Sequence, residues 1–179
     1  MTLIELNTLD RETGTEVLQR CCGSTQWVSQ MLEARPFASL DHLMQQSEEI
    51  WWRLSEADWK EAFRHHPQIG DLASLREKFA ATASWAEGEQ SGVRSASDEI
   101  LQKLAEGNRL YAERFGYIFI VCATGKSAEE MLNLLNARLN NPPEIEIKLA
   151  AGEQAKITRL RLEKLLEPRT EPRTPNLEP

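Results

Sequence analysis

Signals that begin and end helices recur along this 179-residue chain, and they constrain its fold more than any other feature of the sequence. Patterns of the capping-box type open helices after Ser55 and Ser127, while Pro36, Pro67 and Pro142 mark points at which helices cannot continue. Between these signals apolar residues recur at helical spacing, and no stretch alternates apolar and polar residues long enough to predict a sheet. The sequence therefore predicts an all-α fold, a single compact bundle of about seven to nine helices.

The same signals predict where the individual helices lie. We expect helices in the segments 10–22, 24–35, 37–54 (one helix or two), 55–66, 72–82, 85–91, 97–115, 127–141 and 144–166. Residues 117–123 have the composition of a strand but no obvious partner strand, so we expect an extended or tightly turned buried link there. Gly23 is a plausible C′ residue for the first of these helices.

The end of the chain divides into a long helix and a Pro-rich tail. The last helix is expected to turn one broad apolar stripe towards the core, made of Ile145, Leu149, Ile157, Leu160 and Leu165. Residues 167–179 are polar and rich in proline, and we expect them to be disordered. The predicted organisation is a helical domain over residues 1–166 followed by this tail.

Charge and hydropathy exclude several classes of protein. The net charge of -7 argues against a nucleic-acid partner, because phosphate contacts need clustered Lys and Arg side chains. No apolar run approaches the roughly 20 residues that a membrane helix needs, so no membrane contact is expected. The ends of the sequence carry neither a signal-peptide pattern nor a peroxisomal Ser-Lys-Leu address, which favours the cytoplasm.

The cysteines also favour a reducing compartment. Cys21, Cys22 and Cys122 are odd in number and two are adjacent, which makes a poor disulfide framework. Cys21 and Cys22 could form a reactive or metal-binding pair, but a helix end with one thiol packed inside is the simpler interpretation.

His66 is the first candidate for chemistry. It ends a predicted helix and is restricted by Pro67, and a histidine on such a rigid corner suits general acid/base catalysis because its pKa lies near neutrality. The alternative is a surface or capping histidine. The neighbouring His65 should point elsewhere, into solvent.

Two further places carry polar residues suited to a small ligand. The carboxylate of Glu89 and the carboxamide of Gln90 together suit a polar heterocycle, although they could also form a solvated helix face, with Glu87 as a competing carboxylate. Arg161 lies among apolar neighbours and could bind an anionic or carbonyl-rich ligand through its planar guanidinium. Its alternative role is a surface salt bridge, to Glu163 or Glu167.

Metal and phosphate sites are not predicted. The sequence contains no Cys-x-x-Cys, His-x-x-x-His or His-Glu-x-x-His pattern, so the scattered His, Glu and Cys residues lack metal-ligand spacing. It also contains no glycine-rich phosphate loop and no Gly-x-Ser-x-Gly elbow.

Four motifs in order resemble those of one enzyme family. Residues 63–70 contain a His-Pro-x-Ile-Gly pattern and residues 88–93 a Glu-Gln-x-Gly pattern. Residues 108–122 contain an Asn-x-x-Tyr-x-x-Lys/Arg-Phe-Gly pattern, and residues 156–162 match a last-helix motif. Together they resemble the decarboxylases of 2-oxo-4-hydroxy-4-carboxy-5-ureidoimidazoline (OHCU), enzymes of purine degradation that form (S)-allantoin.

The resemblance implies an all-α fold, a homodimer, a small-molecule substrate and no cofactor. It implies catalytic roles for His66 and Glu89. The substrate contacts that it implies are Pro67, Gln90, Arg161 and the backbone near Phe119 and Ile120. In OHCU an imine beside the carboxylate-bearing carbon can accept the electrons released with carbon dioxide, so neither a metal nor an organic cofactor is required.

The sequence departs from the family at two positions. Ala86 occupies the place where the family often has serine, so the hydroxyl contact to substrate is missing there and Ser84 is the alternative source. Ile118 replaces a proline common in the Phe-Gly segment. Two other functions remain open: a non-catalytic helical interaction module, and a related lyase for another ureido-heterocycle. The sequence does not identify the group that delivers the final proton.

Overall fold

The structure, a computed structural model, describes the backbone of residues 1–66 and 90–166 and the side chains of residues 1–66 and 98–166. These residues form helices and no strands, which confirms the all-α prediction. The helices are α1 (Leu3–Thr8), α2 (Arg11–Cys21), α3 (Thr25–Glu33), α4 (Leu40–Arg53), α5 (Glu56–Arg64), α6 (Gln90–Phe115), α7 (Ala128–Arg138) and α8 (Pro143–Leu166). The expected helix at 72–82, residues 85–89 of the expected helix at 85–91 and the expected disordered tail at 167–179 lie outside the described residues.

Side-chain caps begin most of these helices. The hydroxyl of Ser24 accepts a hydrogen bond from the backbone N–H of Trp27, and the predicted capping boxes at Ser55 and Ser127 are both formed. Each cap satisfies an N–H group that has no partner within the helix. A further capping box, between Thr2 and Glu5, starts α1, which the sequence analysis missed.

Helix α6 joins two segments that were expected to be separate helices, because it runs from Gln90, within the expected helix at 85–91, to Phe115 and continues unbroken through Gly107. The glycine has a packing role, because a Cβ atom there would lie 2.6 Å from Cδ2 of Leu135 on α7. Gly107 therefore lets α6 and α7 approach closely, and these two helices pack extensively on each other.

Gly23 allows close packing, and it does not adopt the left-handed conformation expected for a C′ residue. The cap residue of α2, Cys22, is extended, and Gly23 is not among the glycines with positive φ. A Cβ atom on Gly23 would lie 2.4 Å from Cβ and Cγ of His65. The end of α5 thus lies directly against the connection between α2 and α3.

The predicted apolar stripe of α8 was wrong in part, since only Ile157 and Leu165 of its five residues pack, partly buried, against the core. Ile145, Leu149 and Leu160 are 47%, 45% and 40% exposed. The buried face of α8 instead contains Glu146, Ile147, Ala150, Ala151, Gln154, Thr158 and Leu162. This partly polar face packs against α2, α4 and α5.

Residues 117–123 form the expected extended link between α6 and α7, with Tyr117 and Ile120 buried. The link follows Gly116, whose φ of 76° lies in the left-handed region that favours glycine. Among the described helices, none is both long enough and apolar enough to cross a membrane.

Candidate functional site

His66 lies two residues beyond the end of α5, where its backbone N–H donates to the carbonyl of Phe63 at 3.2 Å. Its side chain is half-buried and reaches the inward face of α8. There the Nε2 atom lies 2.5 Å from Oε1 of Gln154. The candidate acid/base residue is therefore anchored to the last helix, whereas His65 is exposed as predicted.

Gln154 connects His66 to a chain of buried polar groups. Its side chain is fully buried, and its Nε2 donates to Oγ1 of Thr158 at 3.1 Å. Beyond Thr158 lies Cys22. Burial raises the pKa of its thiol to about 12, although the Ser24 backbone and the Thr158 hydroxyl lower this pKa by smaller amounts. The chain runs from the end of α5 through α8 to the end of α2.

Burial disfavours the thiolate forms of Cys21 and Cys22, the adjacent cysteines at the end of α2. Burial raises the pKa of Cys21 to about 11, and the nearby positive charge of Arg161 offsets only part of this effect. Cys21 and Cys22 are both buried and free, which supports the packed-thiol interpretation over a reactive pair. In the described part of the chain, no group of three or more His, Cys, Asp and Glu side chains could hold a metal ion.

Within the described residues, Arg161 contacts backbone carbonyls and no carboxylate, while Glu167, one of the salt-bridge partners considered from the sequence, lies outside them. Its Nη1 atom lies 3.3 Å from the carbonyl oxygen of Cys21 and 3.4 Å from that of Arg20. The salt bridge to Glu163 considered from the sequence is made by Arg159 instead, at 3.1 Å. Gln154, Thr158 and Arg161 follow one another at helical spacing, so Arg161 lies on the side of α8 that meets His66.

Charged side chains hold the link that carries Phe119 and Ile120. The guanidinium of Arg138 lies 4.7 Å from the centroid of the Phe119 ring, and its Nη1 donates to the carbonyl of Ile120 at 2.8 Å. On the other side, Glu153 accepts from the backbone N–H of Cys122 at 2.7 Å. Burial raises the pKa of the Glu153 carboxyl. Hydrogen bonds from Lys156 and from the Cys122 backbone lower it, so that the pKa lies below its usual value.

Arg138 belongs to a buried network around Glu146. The Glu146 carboxylate is fully buried, and it accepts from Nε of Arg138 at 2.7 Å, from Nδ2 of Asn141 at 2.8 Å and from the Tyr111 hydroxyl. Burial and the hydrogen bond to Glu146 hold the pKa of Tyr111 well above its usual value, so its phenol remains a donor. Through Arg138 this network fixes the position of the Ile120 carbonyl.

The structure places some of the predicted site residues on or beside α8. His66 contacts Gln154 of that helix, Arg161 lies on the same side of it, and the link with Phe119 and Ile120 is tied to α7 and α8. Gln90 is the first residue of α6, and its side chain is not described. Pro67, Glu89, Ser84 and Ala86 lie outside the described residues, so the meeting of His66, Glu89 and Arg161 in one pocket remains a prediction.

Sequence reasoning missed the residues that support this site, namely Arg138, Glu146, Glu153, Gln154 and Thr158. A usable signal existed for some of them. Glu146, Gln154 and Thr158 share one helical spacing with Ala150 and Leu162, which marks a single face with polar members.

Comparison with known proteins identifies the family. A profile described as OHCU decarboxylase matches residues 7–163. The chain belongs to the OHCU decarboxylase family. The match includes both His66 and Arg161 as well as the link between α6 and α7.

Individual relatives and a solved structure agree with this assignment. The chain is 40% identical over 157 residues to the uric acid degradation bifunctional protein TTL of Arabidopsis thaliana, covering 86% of this chain and 48% of that protein. It is 31% identical over 175 residues to an OHCU decarboxylase of Amia calva, covering 93% of this chain and 95% of that one. The chain therefore spans about half the length of the Arabidopsis relative.

The crystal structure of an OHCU decarboxylase in the presence of (S)-allantoin has the same fold. It superposes with a TM-score of 0.69 at 35% sequence identity, and the match covers 89% of this chain and 100% of that chain.

Proposed function

We propose that this chain catalyses the cofactor-independent decarboxylation of OHCU to (S)-allantoin in urate degradation. The observation that carries the proposal is the family match over residues 7–163. The matched segment includes His66, which contacts Gln154 of α8, and it includes Arg161, which lies on α8 as well. The likeness to a decarboxylase crystallised with (S)-allantoin supports the same substrate class.

The substrate itself supplies the electron sink. When the bond to the carboxylate breaks, carbon dioxide leaves and the electron pair is taken up by the adjacent imine. The imine nitrogen takes up one proton, the hydroxyl-bearing carbon becomes a carbonyl as its hydroxyl proton is lost, and a second proton is added to the former imine carbon. One proton is therefore consumed overall. The protein then needs only to orient the ring, to accept one proton and to expose one face of the planar intermediate.

His66 takes the hydroxyl proton in this proposal. Its place at the end of α5, held by a buried hydrogen-bond partner, gives it the rigid orientation that proton transfer needs. Arg161 and the backbone of Phe119 and Ile120 bind carbonyl oxygens of the substrate. The guanidinium of Arg161 suits this task because it carries several N–H donors in one plane.

The remaining contacts come from residues outside the described side chains. Glu89 is assigned a catalytic role and, with Gln90, holds the ring and its ureido group, while Pro67 packs against the substrate. The family resemblance supports these roles.

We also propose that the protein acts on its small-molecule substrate as a homodimer in the cytoplasm, without nucleic-acid or membrane partners. The family resemblance and the net charge of -7 support this proposal. Sedimentation equilibrium at micromolar concentration tests the dimer, and a monomer would contradict it.

The stereochemistry of the product provides the decisive experiment. OHCU decays unaided, and protonation on either face of the planar intermediate gives racemic allantoin. We expect freshly generated OHCU with this protein to yield optically active (S)-allantoin faster than the blank, followed by circular dichroism. A racemic product at the blank rate would overturn the proposal and favour a non-catalytic helical module. Turnover of a different ureido-heterocycle instead would identify a related lyase.

A further inference from the structure

We propose that Gln154 is a positioning residue that sets the tautomer of His66, so that Nε2 carries the hydrogen and Nδ1 exchanges the proton with substrate. The inference rests on the proposed function in so far as His66 is the acid/base residue. It concerns a residue of α8 to which the family motifs in the sequence assign no role.

The orientation of the Gln154 amide follows from its second partner. Its nitrogen donates to Oγ1 of Thr158 at 3.1 Å, so the amide oxygen is turned towards His66. A carbonyl oxygen can only accept a hydrogen bond. The Nε2 atom of His66, 2.5 Å from that oxygen, is therefore the donor.

Thr158 supports this orientation of the amide. Its oxygen lies 3.1 Å from the Gln154 nitrogen and accepts a hydrogen bond from it. Donors thus run from His66 to Gln154 and from Gln154 to Thr158.

Burial makes the alternative tautomer unfavourable. With its hydrogen on Nδ1, the ring would turn the Nε2 lone pair against the lone pairs of the Gln154 oxygen. Gln154 is fully buried, so solvent cannot relieve this contact. Flipping the amide would instead break the hydrogen bond that its nitrogen donates to Thr158.

The consequence for the reaction is specific. A neutral imidazole carries one hydrogen, so with Nε2 protonated the lone pair that accepts a proton is on Nδ1. When Nδ1 takes the hydroxyl proton of the substrate, the Nε2 hydrogen bond to Gln154 stabilises the resulting cation. Gln154 touches His66 rather than the reacting atoms, and it acts through the orientation of the ring.

The tautomer can be measured on the free protein by long-range ¹⁵N–¹H correlation spectra of the full chain labelled with ¹⁵N-histidine. His42 provides an internal reference, because its Nδ1 accepts from the backbone N–H of Ala38 at 3.1 Å and its neutral ring therefore carries hydrogen on Nε2. Resonances that disappear in His66→Asn identify His66. We expect the neutral ring of His66 to show the same pattern as His42, and an Nδ1–H pattern would overturn the proposal.

Variants of Gln154 separate positioning from structure. Gln154→Met keeps the length of the side chain but removes the accepting oxygen, so we expect mixed tautomers and a kcat lower by roughly tenfold to a hundredfold, with KM little changed. Gln154→Glu keeps an accepting oxygen, and it should retain the Nε2–H tautomer and recover most of kcat. Gln45→Met, the same change at an exposed position of α4, is the matched control.

The outcomes distinguish this proposal from the proposed function. Wild-type tautomer and kcat in a folded Gln154→Met variant would refute the role of Gln154 while leaving the activity intact. If the wild-type protein formed no (S)-allantoin, the proposed function would fail, and the NMR measurement would still decide whether Gln154 sets the tautomer. If Gln154→Met did not fold, the wild-type spectrum and the Gln154→Glu variant would decide the question.

Discussion

The side chain of Arg138, at the end of α7, donates from Nε to Oε1 of the fully buried Glu146 of α8 at 2.7 Å. The same guanidinium holds the carbonyl of Ile120 at 2.8 Å. One buried ion pair therefore joins two helices and also fixes the link on which two of the predicted substrate contacts lie.

Removing one partner of this pair should be costly. Arg138→Met leaves the Glu146 carboxylate buried without its cation, and we expect the free energy of unfolding to fall by about 3–5 kcal/mol. Urea unfolding followed by circular dichroism measures the change.

Arg109 provides the matched control for that substitution. It forms ion pairs with Glu106 and Glu113 on α6, but its side chain is 55% exposed. Solvent screens these pairs, so Arg109→Met should shift the urea midpoint far less than Arg138→Met. Equal shifts for the two variants would show that the buried network has no special role in stability.

His66 and His65 form a second matched pair. His66→Asn should leave the fold intact and lower the rate of (S)-allantoin formation by at least about a hundredfold, the usual scale for a general acid/base. His65→Asn should be close to silent, because that side chain is exposed. Both rates are measured by the circular dichroism assay. A folded His66→Asn variant with a near-normal rate would remove His66 from the mechanism.

The cysteines should differ sharply in reactivity. Burial raises the pKa of Cys21 to about 11 and that of Cys22 to about 12, so at pH 8 both remain thiols, whereas alkylation needs the thiolate. Cys122 is only half-buried. We expect iodoacetamide at pH 8 to modify Cys122 alone in the folded protein and all three cysteines in urea, as measured by mass spectrometry.

The pH dependence of this labelling follows from the direction of the shifts. Because the folded protein holds the pKa values of Cys21 and Cys22 high, their labelling should stay slow until the pH approaches about 11. Cys122→Ser should abolish the fast reaction. Rapid labelling of Cys21 or Cys22 at pH 8 in that variant would contradict the packed-thiol interpretation.

Local signals predicted the helices well where hydrogen bonds within a few residues decide the structure. Ser55 and Ser127 each cap a helix through a partner three residues away, and both capping boxes are formed as expected. The extended link at 117–123 was also predicted, since its composition does not favour a helix. The family motifs identified His66 and Arg161. In the structure His66 contacts Gln154 on the inward side of α8, and Arg161 lies on that same side of the helix.

What the sequence alone determined is therefore the set of capped helices and the order of the family motifs. Only the tertiary structure decided which side of α8 faces inward, because burial of Glu146 and Gln154 depends on partners that the sequence does not place beside them. Glu146 is buried with Arg138, and Gln154 meets His66, which is 88 residues away along the chain. A polar residue can replace an apolar one in a core once every hydrogen-bonding group is satisfied, and that condition is met only when distant helices have packed.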